Sequence, residues 1–273
     1  MLSYKRLIEF VSTTFESVSI VHIKSRKAEH LLVQTYLTRQ MMGQSAAHDV
    51  AECIRQKIQK QGFVRMIFAA APSQSDMLAS LIESPGIDWS CVTAFHMDEY
   101  IGLSEDAPQC FASWLDTHLF GWLPFQKVHP IIPQSNPLQA ANAYANLLNE
   151  KPIDIVCLGI GVNGHIAFND PPAADFEDRV DVKIVELDAI CRQQQVDDQC
   201  FAQLDLVPLQ AITLTIPRLL RAEHLFCVVP GAFKRTAVGQ TLHGPISTDC
   251  PASILRQHPS CTLYLDQESD PDV

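Results

Sequence analysis

The stretch IDIVCLGIGVNGHIAFNDPP, residues 153–172, decides how this chain is read. Ile153 to Leu158 is apolar and rich in β-branched residues over the length of a strand, which predicts a buried parallel strand. It empties into Gly159-Ile160-Gly161-Val162-Asn163-Gly164, where glycines let the backbone turn sharply or take positive φ. His165, an apolar Ile-Ala-Phe and the polar pair Asn169-Asp170 follow, closed by two prolines. Open α/β sheets bind ligands outside the carboxyl ends of their strands, so a histidine and an acid released there suit a site. The alternative is a tight turn whose polar residues only cap backbone groups.

Two further strand ends carry the same kind of signal. Val64 to Ala71 reads as a buried strand followed by Pro72-Ser73-Gln74-Ser75-Asp76 and a helical pattern from Met77 to Ile82. Hydroxyls ahead of a helix N-terminus make an anion cradle, because free N–H groups and the helix dipole favour negative charge there. Ser75 or Asp76 serving only as the N-cap is the plainer reading. Trp89 to Phe95 reads as a strand ending in His96-Met97-Asp98-Glu99-Tyr100. Successive strand side chains face opposite ways, so one of Asp98 and Glu99 at most points into a site. A partly desolvated carboxylate there has a raised pKa suited to a general base, unless the pair caps the next segment.

Outward from these, Val18–Ile23, Val128–Ile132, Val182–Leu187, Ala211–Ile216, His224–Val229 and Cys261–Leu265 are strand-like. Ala46 to Gln61 recurs as an amphipathic helix stopped by Gly62, and Leu138 to Leu148 is helical. Pro217 opens a short helix, Pro230 to Lys234 leads into another, and Pro251 to Leu255 forms a helical turn. Lys234 in a first helical turn opposes the dipole, which is better explained if it faces an anion, although solvated lysines are commoner. Residues 1–16 carry no clear period. Asp266 to Val273 reads as a disordered acidic tail. Strands alternate with helices throughout, so a doubly wound, mostly parallel sheet with helices on both faces is expected, in one α/β domain over residues 1–273.

Composition narrows the function classes. The chain has 273 residues, 47% of them hydrophobic, and a formal net charge of -11. That length buries a substantial core, and the charge argues against nucleic acid or an anionic membrane as partner. A small anionic substrate remains compatible, since a few local donors suffice to hold it. The nine cysteines (53, 91, 110, 157, 191, 200, 227, 250, 261) are scattered, with no CxxC pair. They read as reduced, buried thiols of a cytoplasmic protein, and no metal or other cofactor is expected. No apolar run of membrane-spanning length and no signal-peptide pattern is present.

FHMDEYIGL at 95–103 and LGIGVNGHIAFNDP at 158–171 closely resemble the signatures of the glucosamine-6-phosphate deaminases, whose wider family also holds 6-phosphogluconolactonases. PGAFKRTA at 230–237 and PASILRQHP at 251–259 resemble later segments of that family, and the likeness spans roughly residues 46–266. The resemblance implies a Rossmann-like sheet and a metal-free conversion of an amino-sugar phosphate to a keto-sugar phosphate plus ammonia. It implies Asp98 as the base that moves the proton between C2 and C1, and His165 as the group that opens the sugar ring. Asp170 stands where a glutamate usually orients the histidine; one methylene shorter, it is expected to lose contact or to act through a bridging water. Lys234 matches a phosphate-binding lysine, with Ser73, Gln74, Ser75, Gly161 and Gly164 as the other substrate-binding candidates. Asn163 replaces an aspartate that partners the histidine, and an amide cannot stabilise an imidazolium by charge. The arginine expected for the phosphate is assigned to Arg192. A sugar-phosphate lactonase, or a sugar-phosphate-binding protein without turnover, are the competing readings; a homo-oligomer is left open.

Overall fold

The computed structural model describes residues 20–133, 136–171 and 173–273. In chain order the strands are β1 (His22–Ala28), β2 (Leu31–Tyr36), β3 (Val64–Phe68), β4 (Val92–His96), β5 (Asp98–Tyr100), β6 (Lys127–His129), β7 (Ile155–Leu158), β8 (Val182–Glu186), β9 (Gln210–Leu214), β10 (His224–Val229) and β11 (Cys261–Asp266). The helices are α1 (Arg39–Gln61), α2 (Ser75–Ile82), α3 (Phe111–His118), α4 (Pro137–Asn149), α5 (Ala189–Asp197), α6 (Ile216–Leu220) and α7 (Arg235–His243).

Eight strands form the main sheet in the order β1-β2-β11-β10-β7-β3-β4-β6, parallel throughout except for the β1–β2 hairpin at one edge. The central strands are apolar on both sides because both faces are covered. On β10, Phe226 and Val228 join a core with α1, α2 and α3, while Leu225, Cys227 and Val229 join another with α4, α6 and α7. On β7 the same alternation sends Ile155 and Cys157 one way, and Val156 and Leu158 the other. Each such aliphatic side chain stabilises the fold by about 1.5–3 kcal/mol on burial. The Rossmann-like, doubly wound expectation therefore holds.

From β3 the chain proceeds to β4 and β6 on one side, and β7, β10 and β11 then fill in on the other. The order reverses between β3 and β7, which are directly paired through Met66–Phe68 and Ile155–Cys157. At such a switch point the loops leaving adjacent strands diverge to opposite faces and open a crevice. Here those loops carry Ser73 and Gln74 after β3, and Gly159 to His165 after β7. A second, antiparallel sheet, β5-β9-β8, carries the crevice-lining Asp98 on its edge strand β5.

Several boundaries differ from the sequence reading. Helix α1 begins at Arg39, well before Ala46. Thr38 is its N-cap, accepting from Met41 N at 3.2 Å, and Met42, Gly43 and Ala46 continue the buried stripe back to that cap. Gly62 ends it with φ 80°, as its composition predicts. The strand β2 was not foreseen. The first strand expected at Val18–Ile23 lies partly outside the described residues, as does any structure in residues 1–16, and β1 begins at His22. The acidic tail is a correction. Asp270 is fully buried and takes Arg26 in a two-pronged ion pair at 2.7 and 2.8 Å, while Arg235 reaches the carbonyls of Glu268 and Val273. Its carboxylates do not repel one another into solvent because Arg26, on the edge strand, neutralises the buried one. Among the described residues no helix is long and apolar enough to cross a membrane.

Candidate active site

The crevice is a cavity of about 340 Å³, the size of a small-molecule site. Ser73 and Gln74, Asp98, Gly161 and His165, and Lys234 line it from four separate strand ends.

Asp98 opens β5, where the chain bends out of the main sheet after Met97. Its carboxylate is 94% removed from solvent in residue terms (6% exposed) and faces the cavity. No hydrogen-bond donor reaches it among the described residues. Burial first, and then the charges of Glu99 and Asp170, push its pKa well above the usual carboxylate value. Glu99 points the other way. Its oxygens accept from Tyr100 N at 2.9 Å, Phe111 N at 3.0 Å and Ala112 N at 2.9 Å, so it holds the start of α3. Burial outweighs those three donors and raises Glu99 to about 7. The alternation argument and the capping alternative thus both apply, one to each acid.

His165 is positioned by the loop that precedes it. Gly164 adopts φ 85° and donates to Gly161 O at 3.0 Å, and Gly161 N donates to His165 O at 2.9 Å. The imidazole lies against Gly161, where a Cβ would come within 2.1–2.3 Å of three ring atoms; only glycine leaves room. A Cβ on Gly164 would meet Cys250 Sγ at 2.6 Å, so that glycine serves the turn and lies outside the cavity lining.

Behind the ring, Nδ1 is 2.8 Å from Asn163 Oδ1 and 2.9 Å from Asp170 Oδ1, and Asn163 Nδ2 donates to the same Asp170 oxygen at 2.9 Å. That donation orients the amide and puts an acceptor on Nδ1, so Nδ1 carries the proton, and in the neutral ring Nε2 holds the lone pair. The shorter acid does not lose the histidine, nor does it need a water. Asp170 touches the ring directly and supplies the negative charge that Asn163 lacks, which corrects the expectation. Burial works to raise Asp170, but the hydrogen bond and charge of His165, then hydrogen bonds from Asn163 and Cys191, more than offset it and hold the acid below its usual value. Cys191 Sγ joins His165 and Asp170 in a buried group whose ligand atoms lie within 4.8 Å of one another. The ring nitrogen Nδ1 and one carboxylate oxygen are already hydrogen-bonded to each other, so both are committed within the protein.

Lys234 is 3% exposed at the entry to α7, and burial lowers it to about 8 against the opposing charge of Asp198. Gln74 is fully buried and ties the β3 loop to β10, donating to Ser73 Oγ at 3.1 Å and Val228 O at 3.2 Å. The free amide cradle expected after β3 is not formed. A 3₁₀ turn uses the N–H groups of Gln74 and Ser75 on Ala71 O and Pro72 O, and Ser75 does not line the cavity.

Arg192 is not brought to the site. Its guanidinium donates to Leu204 O at 2.7 Å and Val207 O at 3.0 Å, bracing the turn after α5. The cavity instead takes Gln194, Gln195 and Asp198 from that helix. Residues 191, 194, 195 and 198 share a helical face, and 192 lies off it. A sequence reading that had fixed the start of α5 at its Asp188 N-cap would have found that face. Gln194 is fully used, accepting from Val162 N at 3.0 Å and donating to Asp198 Oδ2 at 3.2 Å, so it secures the glycine-rich loop.

A switch-point cavity holding a desolvated acid, a histidine–carboxylate pair and a buried lysine defines a class: α/β enzymes that move protons on a small anionic substrate. The chain belongs to the family described as glucosamine-6-phosphate isomerases/6-phosphogluconolactonase, whose pattern it matches over residues 37–264. The match begins nine residues earlier than the motifs alone suggested, taking in the whole of α1. A glucosamine-6-phosphate deaminase of Leuconostoc citreum is 40% identical over 194 residues, 68% of this chain and 78% of that one. Among solved structures, a monomeric glucosamine-6-phosphate deaminase is 27% identical with a TM-score of 0.80, covering 87% of this chain and 98% of its own. A 6-phosphogluconolactonase of Thermotoga maritima shares the fold at TM-score 0.70 and 16% identity, over 86% of this chain and 100% of that one.

Proposed function

We propose that this protein converts glucosamine 6-phosphate to fructose 6-phosphate and ammonia. The observation that carries the reading is the pair formed by Asp98, a buried carboxylate with no donor on it from any described residue, and His165, whose Nδ1 is held by Asn163 and Asp170 so that Nε2 of the neutral ring is the free base. Nε2 takes the proton of the C1 hydroxyl and returns it to the ring oxygen, opening the sugar. Asp98 then removes the C2 proton from the open chain and delivers it to C1. Isomerisation needs one base that serves both carbons, and a carboxylate set within about 3 Å of each does this without a second group. Water then displaces ammonia at C2, so the net reaction is a hydrolytic deamination built on an aldose–ketose isomerisation. Lys234 and the Ser73 hydroxyl hold the phosphate, and no metal enters the scheme. Nine free cysteines support a reducing, cytoplasmic setting.

The lactonase alternative needs a histidine-activated water and no chemistry at C2, which would leave Asp98 without a task. Three assays on one preparation decide between the readings: ammonia release from glucosamine 6-phosphate, hydrolysis of 6-phosphogluconolactone, and ligand-induced stabilisation. Ammonia release is expected. Lactone hydrolysis without it, or stabilisation without turnover, would overturn the proposal.

A further inference from the structure

Asp170 has two carboxylate oxygens, and the contacts to His165 and Asn163 occupy only Oδ1. Oδ2 is buried without a hydrogen-bond partner from any described residue in a side chain whose residue is 1% exposed. A buried carboxylate oxygen left bare is costly, and it also leaves the carboxylate free to rotate off the histidine. The groups around the Asp170–Cys191 pair can be named. Asp98 and the Tyr100 hydroxyl come from β5, His165 from the glycine-rich loop, Asp188 and Cys191 from the start of α5, and Lys234 from the entry to α7. Asp98 and Asp188 bring acidic charge rather than donors, and His165 is committed to Oδ1. Lys234 and the Tyr100 hydroxyl interact with Cys191 through charge, and neither is hydrogen-bonded to Asp170 among the described residues. Cys191 is fully buried, with its sulfur inside the 4.8 Å group formed with Asp170 and His165. Burial, and next the charge and hydrogen bond of Asp170, raise its thiol well above the ordinary range, so it stays a neutral S–H donor.

We propose that Cys191 is a positioning residue whose S–H donates to Asp170 Oδ2 and so keeps Oδ1 against His165 Nδ1. The relay then runs Cys191, Asp170, His165, with the thiol doing from behind what a longer acid would achieve by reach. This rests on the reading of His165 as the group that acts on the sugar ring.

The test compares wild type, Cys191→Ala and Cys191→Ser by kcat, KM and their pH dependence with glucosamine 6-phosphate. Cys191→Ala should lower kcat about tenfold, the equivalent of one weakened hydrogen bond to a charged group, with KM nearly unchanged. A donor on a carboxylate favours its ionised form, so the acidic limb of the kcat profile should move to higher pH in Cys191→Ala. Cys191→Ser, which keeps a donor, should recover most of both. An infrared difference spectrum, wild type minus Cys191→Ala, should show the Cys191 S–H stretch below the frequency of unbonded thiols, and Asp170→Ala should raise it. Should Cys191→Ala not fold, wild type minus Cys191→Ser supplies the same band. A Cys191→Ala enzyme with wild-type kcat and acidic limb would overturn the proposal. So would a Cys191→Ser enzyme as slow as Cys191→Ala, or an S–H band at the unbonded frequency. If wild type does not turn over glucosamine 6-phosphate, the proposed function fails, and the infrared band still decides the hydrogen bond.

Discussion

Asp98 and Glu99 are neighbours on one short strand, both buried, both raised by burial, and the structure sets them in opposite surroundings. Asp98→Asn keeps the shape of the side chain and removes the base. General base catalysis is worth roughly 10²–10⁴ in rate, so kcat should fall by that factor, about 2.7–5.4 kcal/mol on the barrier. Stability should hold or rise, because a desolvated carboxylate without a donor is replaced by a neutral amide. Glu99→Gln should do the reverse. It weakens three backbone hydrogen bonds, two at the start of α3 and one on β5, at about 1–2 kcal/mol of stability, and leaves turnover close to wild type. The pH dependence separates them further. Glu99 titrates near 7 in the fold against the lower value of an unfolded chain, so its folded state holds the proton more tightly. Stability should therefore fall as pH rises through that interval, and Glu99→Gln should flatten the slope. The assay is ammonia release alongside thermal melts, with product formed in deuterated water examined for deuterium at C1. Near-normal turnover in Asp98→Asn with collapse in Glu99→Gln would refute the reasoning. Unchanged release in both would place the chemistry elsewhere.

Lys234→Ala should weaken binding of a phosphate-bearing substrate by about 1.5–3 kcal/mol, read as a higher KM with little change in melting temperature. With its pKa lowered to about 8, the cation is lost above that pH, so wild-type KM should climb there while stability rises towards the ordinary lysine range. Gly161→Ala forces the His165 ring out of place, and a displacement on the scale of an ångström should cost turnover about 10²-fold in a protein that still folds. Arg26→Ala strands the buried Asp270 carboxylate and should destabilise by about 3 kcal/mol in a denaturant titration, at the low end for a buried pair because Arg26 is partly solvated. A tail that contributes nothing would show no change.

Much of this was legible in the chain itself. Apolar runs of strand length alternating with helical periods require a parallel sheet covered on both faces, and that pattern is local, so it survives without coordinates. The strand-end residues were legible for the same reason: Ser73, Asp98, His165 and Lys234 each follow a buried run by a few residues, and topology carries such positions to one edge. What the tertiary structure alone decided were matters of direction and neighbourhood. Whether Asp98 or Glu99 faces the cavity depends on β5 leaving the main sheet to pair with β9, a contact 115 residues distant at Asp98–Thr213. That Asp170 reaches the histidine despite its shorter side chain depends on a backbone path no composition encodes. Arg192 was misread because a helical face is set by where the helix starts, and a shift of two residues turns a side chain from the cavity to the surface. The tail was misread because its partner, Arg26, lies at the far end of the chain. Charge within a segment is visible in sequence; the opposite charge that folding lays against it is not.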